Sequence, residues 1–169
     1  VIARFTPRLS HWVSEPDRNL YDAMNKGVRA ARGEWVLFMN ACDRFAAPDV
    51  LSRIFSIDWA DADLIYGHHI RRYPGAHIER LIRAEPPAVL PRRMNCSHQS
   101  LLMRREILLA HPFETNLLAA DDALMVAAYA AGKRFVAADC VVASTETGGR
   151  SDRSRIRSLR ERMAVLKRH

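Results

Sequence analysis

The chain has 169 residues, 49% of them hydrophobic, which suits one domain of ordinary size with a core of its own. Its 26 Lys and Arg against 19 Asp and Glu give a formal charge of +7 and a pI near 9.9, pointing to anionic company: nucleic acid, phosphorylated small molecules or an acidic membrane surface. Three scattered cysteines, Cys42, Cys96 and Cys140, form no CxxC pair; this excludes a disulfide framework or zinc knuckle and predicts a reduced, cytoplasmic setting. No apolar run approaches the ~20 residues that span a bilayer, and no charged, apolar, small-residue order of a secretion signal is visible, so the expectation is a soluble or peripheral chain.

In chain order, Trp12 and Val13 read as a short strand that leaves into the turn at Pro16 and Asp17. Asn19 is placed to cap a helix whose apolar positions Leu20, Met24, Val28 and Ala31 recur at helical spacing, and Gly33 reads as its left-handed stop. The run "WVLFMN", Trp35 to Asn40, is continuously apolar and predicts a central strand covered on both faces, leading into "NACD", Asn40 to Asp43. Polar residues just past the carboxyl ends of strands in open α/β sheets are where ligands bind. "VLSRIFSID" reads as helix, "DADLIYGHHI" as strand, and "YPGAH" as a tight turn into a return strand, so the predicted sheet is mixed. Three prolines make "EPPAVLPRR" an irregular loop, and "HQSLLMRREILLA" follows as a strand and the start of a helix. "AADDALMVAAYAAGKRFVA" gives an alanine-rich helix closed by Gly132 and a short strand around Phe135 and Val136. The last segment, residues 154–169, aligns Ile156, Leu159, Met163 and Leu166 on one helical stripe. From Arg150 onward the tail holds eight Lys and Arg against two acids, a basic amphipathic helix.

The run "WVSEPDRNLYDAMNKGVRAARGEWVLFMNACD" resembles the signature of family 2 inverting glycosyltransferases of the GT-A fold, which reads SEPDxGIYDAMNKG, helix, hydrophobic strand, then N-x-x-D. Two later segments agree in order: "CSHQSLLMRRE" is similar to the family's CHQ-plus-strand segment, and "HPFETNLLAADDALMVAAYAAGKRF" to its P-F-D, AAD-helix, G-K segment. The resemblance covers Arg4 to about Asp152. It implies an α/β, Rossmann-like mixed sheet flanked by helices that lacks the first strands of the nucleotide-binding half, over residues 1–152. Residues 153–169 form the separate basic helix.

The resemblance also implies roles. Displacing a nucleoside diphosphate from a sugar carbon needs charge stabilisation at the leaving phosphate, and a hard divalent cation, Mg²⁺ or Mn²⁺, held by carboxylate oxygen supplies it. The implied metal ligand is Asp43. The family places an acid or glycine where this chain has Cys42, and a neutral thiol is a poor partner for such a cation, which weakens the expected metal dependence. Taken alone, Asp43 also reads as a turn cap. Asp17, Asn25, Lys26 and Arg150 are the implied donor and diphosphate contacts; Lys26 reads equally as a solvated charge, and "TGGRSD" around Arg150 equally as a linker. An inverting transfer needs a base for the acceptor hydroxyl, and the family's AAD segment puts it at Asp121, although acids in a first helical turn also favour the macrodipole. His98, Gln99 and Asp122 fall on the acceptor side of the cleft. His68 and His69, adjacent on a strand, point to opposite faces and do not chelate one ion.

The function so implied is transfer of a sugar from a UDP- or GDP-sugar to a glycan or lipid-linked acceptor, with the basic tail resting near anionic headgroups at the inner membrane face. Two alternatives stand beside it: a non-catalytic polyanion-binding or scaffold domain, and a glycosyltransferase fragment inactive on its own. An aromatic content of 8% and the absence of any recognised motif argue against specific nucleic-acid binding. A sheet short of its first strands is expected to expose apolar strand edges and to favour a homo-oligomer.

Overall fold

The computed structural model describes residues 2–148 and 155–168. A short helix, α1 (Ile2–Phe5), and a 3-10 turn at Thr6–Arg8 open the chain. The expected strand at Trp12 and Val13 is absent: both side chains are exposed and no strand of the sheet lies beside them to accept their backbone hydrogen bonds.

Helix α2 (Leu20–Ala30) starts where Asn19 caps it, the side chain accepting from the amides of Tyr21 and Asp22 at 3.0 and 3.2 Å, an arrangement worth ~1 kcal/mol. Its buried stripe is Tyr21, Met24, Asn25 and Val28, so Leu20, assigned inward from its spacing, is instead exposed and Tyr21 takes its place. Gly33 is not the stop either. The helix ends on an extended Ala31, and the described glycines with positive φ are Gly132 (71°) and Gly148 (98°).

The strands are β1 (Trp35–Leu37), β2 (Arg44–Phe45), β3 (Leu64–Tyr73), β4 (Ile78–Ile82), β5 (Leu101–Arg104) and β6 (Phe135–Glu146), with helices α3 (Val50–Ile54), α4 (Arg105–Ala110) and α5 (Ala120–Ala130) between them. They form one sheet in the order β1-β5-β3-β6-β2, with β4 hairpinned onto β3; β3 and β6 run parallel and every other pairing is antiparallel. The mixed sheet is as predicted, with two differences. β1 is a three-residue, half-buried edge strand rather than a long central one, because β5 pairs with one of its edges and no described strand with the other. β6 runs for 12 residues, well past Phe135 and Val136, and bends through a left-handed Asp139 that interrupts its apolar pattern. At that irregularity β3 closes on β6 through Gly67, where a Cβ would lie 2.6 Å from Val142 Cγ2 and 2.7 Å from the Cys140 carbonyl oxygen.

Strand alternation sends side chains to two cores. Leu64, Tyr66, Leu101 and Met103 meet α2, α4 and α5 on one face, while Ile65, Leu102 and Val142 meet α3 on the other. The final helix, α6 (Arg155–Leu166), packs Val165 on Ala123 and Val126 of α5. Its predicted apolar stripe faces outward: Ile156, Leu159 and Met163 are 71, 61 and 60% exposed, and of that set only Leu166 packs inward. The inner face instead carries Ser158, Glu161, Arg162 and Val165, spaced three and four apart. All three cysteines are free thiols.

Candidate active site

The buried polar side of α2 grips the loop that leads into α5. Asn25 pairs with the Phe113 backbone in both directions, donating to its carbonyl and accepting from its amide at 2.9 Å each. Asn19 donates to the Thr115 carbonyl at 2.6 Å. The Tyr21 hydroxyl lies 3.1 Å from the Leu118 carbonyl and donates to Asp121 Oδ1 at 2.7 Å. Asp121 is thereby fixed in the first turn of α5 by a helix a hundred residues earlier in the chain.

The other oxygen of Asp121 meets His98, which sits in the 3-10 turn His98–Ser100 just before β5. His98 Nδ1 is 2.9 Å from Asp121 Oδ2, and its Nε2 is 3.1 Å from the Asn40 amide nitrogen at the end of the β1 segment. A carboxylate only accepts, so Nδ1 carries the hydrogen and Nε2 accepts from Asn40. The next residue, Gln99, donates to Asp43 Oδ2 at 2.7 Å, and Asp43 Oδ1 accepts the Glu146 amide at 3.1 Å. Consecutive side chains therefore join the two carboxylates, in the order Asp121, His98, Gln99, Asp43.

The electrostatics follow from these contacts. Burial alone would raise the Asp121 pKa, but hydrogen bonds from His98 and Tyr21 hold it below the usual carboxylate range, so it stays ionised at neutral pH. Burial and the neighbouring Asp121 charge push the Tyr21 phenol up, which keeps it a donor, and push the buried Cys96 thiol up to about 12. Asp122 moves the opposite way to Asp121: burial raises its pKa, opposed by the Arg162 guanidinium with which it pairs. His69, beside Asp43 in charge terms, is brought down to about 4 by burial and by Arg71.

The remaining expected residues divide. Asp17 and Lys26 are together at the exposed "SEPD" turn, where Lys26 Nζ lies 2.8 Å from Asp17 and 2.7 Å from Glu15. Hydrogen bonds that it donates to both acids raise the Lys26 pKa. Asn25 is a correction: it is buried with its amide committed to Phe113, so it anchors the loop before α5 and its side chain is not free for a donor. Asp122 is a second correction, because its carboxylate turns away from His98 and Gln99 toward α6. His98 and Gln99 touch the acids themselves. Arg150 lies outside the described residues.

Among the described residues no group of three His, Cys, Asp or Glu could hold a metal ion. Asp43 is the one acid on this side aimed into the bonded chain, and its two donors leave lone pairs on both oxygens. That donor set fits a hard cation completing its shell with water and phosphate oxygen, not one caged by protein alone.

Three site residues escaped the sequence reading. Tyr21 was legible as part of the buried stripe at i, i+3, i+4 and i+7 with Met24, Asn25 and Val28. Asn40 reads as the first residue of the N-x-x-D stretch at a strand end, with no bond to His98 foreseen. Arg72 braces the turn from β3, donating to the Cys42 carbonyl at 2.6 Å and pairing with Glu146 at 3.0 Å, and nothing in its local sequence signals that. Cys42 itself sits at φ 71°, a left-handed position that favours glycine.

Residues 3–141 match the profile of the family described as Glycosyl transferase family 2. An uncharacterized glycosyltransferase of Mycobacterium tuberculosis is 45% identical over 47 residues, 28% of this chain and 18% of the relative. A PGL/p-HBAD biosynthesis glycosyltransferase of Mycobacterium bovis is 34% identical over 99 residues, 54% of this chain and 35% of the relative. Among solved structures, Staphylococcus aureus TarS 1-349 in complex with UDP superposes with a TM-score of 0.66 at 15% identity. The Pyrobaculum calidifontis mannosyltransferase in complex with GDP-Man and Mn²⁺ gives 0.64 at 21%. These two cover 98 and 99% of this chain but 50 and 49% of their own, so the shared feature is the GT-A fold and the chain spans about half the length of each neighbour.

Proposed function

The chain belongs to glycosyl transferase family 2, and from that premise we propose that it provides the acceptor side and catalytic base of an inverting sugar transfer from a nucleotide-sugar donor. The observation that carries the proposal is the bonded bridge from Asp121 through His98 and Gln99 to Asp43, which sets a base and a cation-binding acid along one wall. Asp121 accepts the proton of the acceptor hydroxyl as that oxygen bonds to the anomeric carbon, and the electron pair of the breaking C–O bond leaves with the diphosphate. Tyr21 and His98 hold the carboxylate ionised and oriented, with His98 locked in one tautomer by Asn40. Asp43 would hold a Mg²⁺ or Mn²⁺ ion, which when bound offsets charge on the leaving phosphate. Asp17 and Lys26 stand at the exposed turn for the donor. UDP and GDP-Man in the structural neighbours support a nucleotide-sugar donor here.

A glycan or lipid-linked acceptor fits the outer face of α6, where Ile156, Leu159 and Met163 lie exposed beside Arg157, Arg160 and Lys167 and suit an anionic lipid surface. No described helix is long and apolar enough to cross a membrane. The unpaired outer edge of β1 supports association with another copy.

Calorimetric titration with UDP- and GDP-sugars, with and without Mn²⁺, tests the reading. Metal-dependent affinity that survives in Asp121→Asn while transfer is lost is expected. Binding to polyanions in general, with no preference for a nucleotide sugar, would replace the proposal with a scaffold role.

A further inference from the structure

We infer that α6 is a clasp on the catalytic base, with Arg162 and Glu161 acting as positioning residues for Asp121; the inference rests on the reading of Asp121 as that base. Two adjacent acids open α5 and diverge. Asp121 faces Tyr21 and His98, whereas Asp122 pairs with Arg162, whose guanidinium also donates to the carbonyl of the fully buried Leu90. The Arg162 side chain is only 9% exposed, so a helix that reads from sequence as a solvated basic tail places one of its arginines inside the domain.

One position earlier, Glu161 Oε2 accepts the Leu118 amide at 2.6 Å. Leu118 is thus held through its N–H by α6, while the Tyr21 hydroxyl of α2, lying 3.1 Å from the Leu118 carbonyl, gives its one proton to Asp121. The segment 118–122 carrying the base is therefore suspended between two helices, and neither alone fixes it. Val165 adds an apolar contact to Ala123 and Val126, a turn further along α5.

Holding two helices together does not require buried charge, since apolar side chains of similar volume serve as well or better. What the ion pair and the Glu161 bond add is direction: they fix the register of the α5 start, residue by residue, next to the reacting carboxylate. Misplacing a catalytic group by about 1 Å costs on the order of 100-fold in rate. The arrangement also couples α6 itself to the base, because displacing α6 releases Leu118 and Asp122 together.

The test uses the full chain carrying Arg162→Met, Arg162→Lys and Glu161→Gln, with two readouts besides melting temperature. The first is the imidazole Nδ1–H resonance of His98 in ¹⁵N-histidine-labelled protein, assigned with His98→Gln, which reports the bond to Asp121 directly. The second is transfer kinetics split into kcat and donor KM. The expected result is loss or displacement of the His98 resonance and a fall in kcat of ~10-fold or more in Arg162→Met. Donor KM stays within about twofold, Arg162→Lys recovers part of the loss, and Glu161→Gln shows the same pattern more weakly. Should Arg162→Met fail to fold, Glu161→Gln carries the test alone, since it removes one acceptor charge and leaves the packing of α6 intact. A native His98 resonance in the folded variants, with kcat unchanged, would overturn the inference whatever happens to the melting temperature. Absence of transfer by the unmodified chain would instead favour the fragment inactive on its own, and the His98 resonance would still decide whether α6 holds Asp121.

Discussion

Removing the Tyr21 hydroxyl is the sharpest probe of how the base is kept ionised. In Tyr21→Phe the ring still fills its place against Phe113, with which it stacks at 5.5 Å, so packing is preserved and only the donor to Asp121 Oδ1 is lost. A hydrogen bond to a charged group contributes ~1.5–3 kcal/mol, and the buried setting leaves no water to replace it freely, so a loss of about 2 kcal/mol in unfolding free energy is expected at pH 7. The sign with pH follows from the depressed folded pKa of Asp121. Its contribution is fully present above the unfolded value of about 3.9 and disappears as pH falls through the folded value, where the carboxyl is neutral in both states. The gap between Tyr21→Phe and the unmodified chain is therefore largest at neutral pH and closes on acidification. Urea unfolding at pH 7 and at successive steps toward pH 3 measures it. A gap under 0.5 kcal/mol at pH 7, or one that stays constant down the series, would refute the claim that the phenol stabilises a buried anion.

The other predictions concern backbone and charge. Cys42→Gly relieves a left-handed position that costs a non-glycine residue ~1–2 kcal/mol; after the extra unfolded-state entropy of glycine, chemical denaturation should show a gain of about 0.5–1 kcal/mol. Gly67→Ala pushes a methyl onto the Cys140 carbonyl, which belongs to the neighbouring strand and cannot swing aside, so a loss of ~2 kcal/mol or more is expected in the same assay. Lys26→Met is expected to leave the denaturation midpoint unchanged, because its ion pairs are exposed, and to weaken nucleotide-sugar binding in calorimetry.

What could be read in advance, and what could not, divides along the range of the interactions. Asn19 as cap, the helix after it, the "YPGAH" turn and Gly132 are local events, set by residues within a few positions of one another, and they formed where expected. The failures needed a partner. Trp12 and Val13 have strand composition but no neighbouring edge, and "WVLFMN" reads as central although one of its edges is unpaired. The strand legible around Phe135 and Val136 does not carry through 137–146 in the sequence, where Asp139 breaks the pattern, yet β3 templates the strand regardless. In the site, the acids were recognisable by their motif, whereas the groups that orient them were not, since Tyr21 and Arg162 lie 100 residues before and 40 after the acids they contact. Helix α6 shows the limit most clearly: its apolar stripe and basic charge were legible, whereas the polar face that packs on the domain through Glu161 and Arg162 was not.

The polar crowding of the "SEPDRNLYDAMNKG" segment resolves into two populations with different duties. Asn19, Tyr21 and Asn25 turn inward and spend their hydrogen bonds on residues 113–121, where breaking one strands a buried group. Glu15, Asp17, Asp22 and Lys26 remain at the surface and satisfy one another. An anionic diphosphate reaching Lys26 would have to displace carboxylates that already hold it, an exchange among partly exposed charges that costs little either way. The same short helix thus presents a rigid side toward Asp121 and an exchangeable side toward solvent. That division suits the proposed transfer, in which donor and product nucleotide would come and go while Asp121 stays in register.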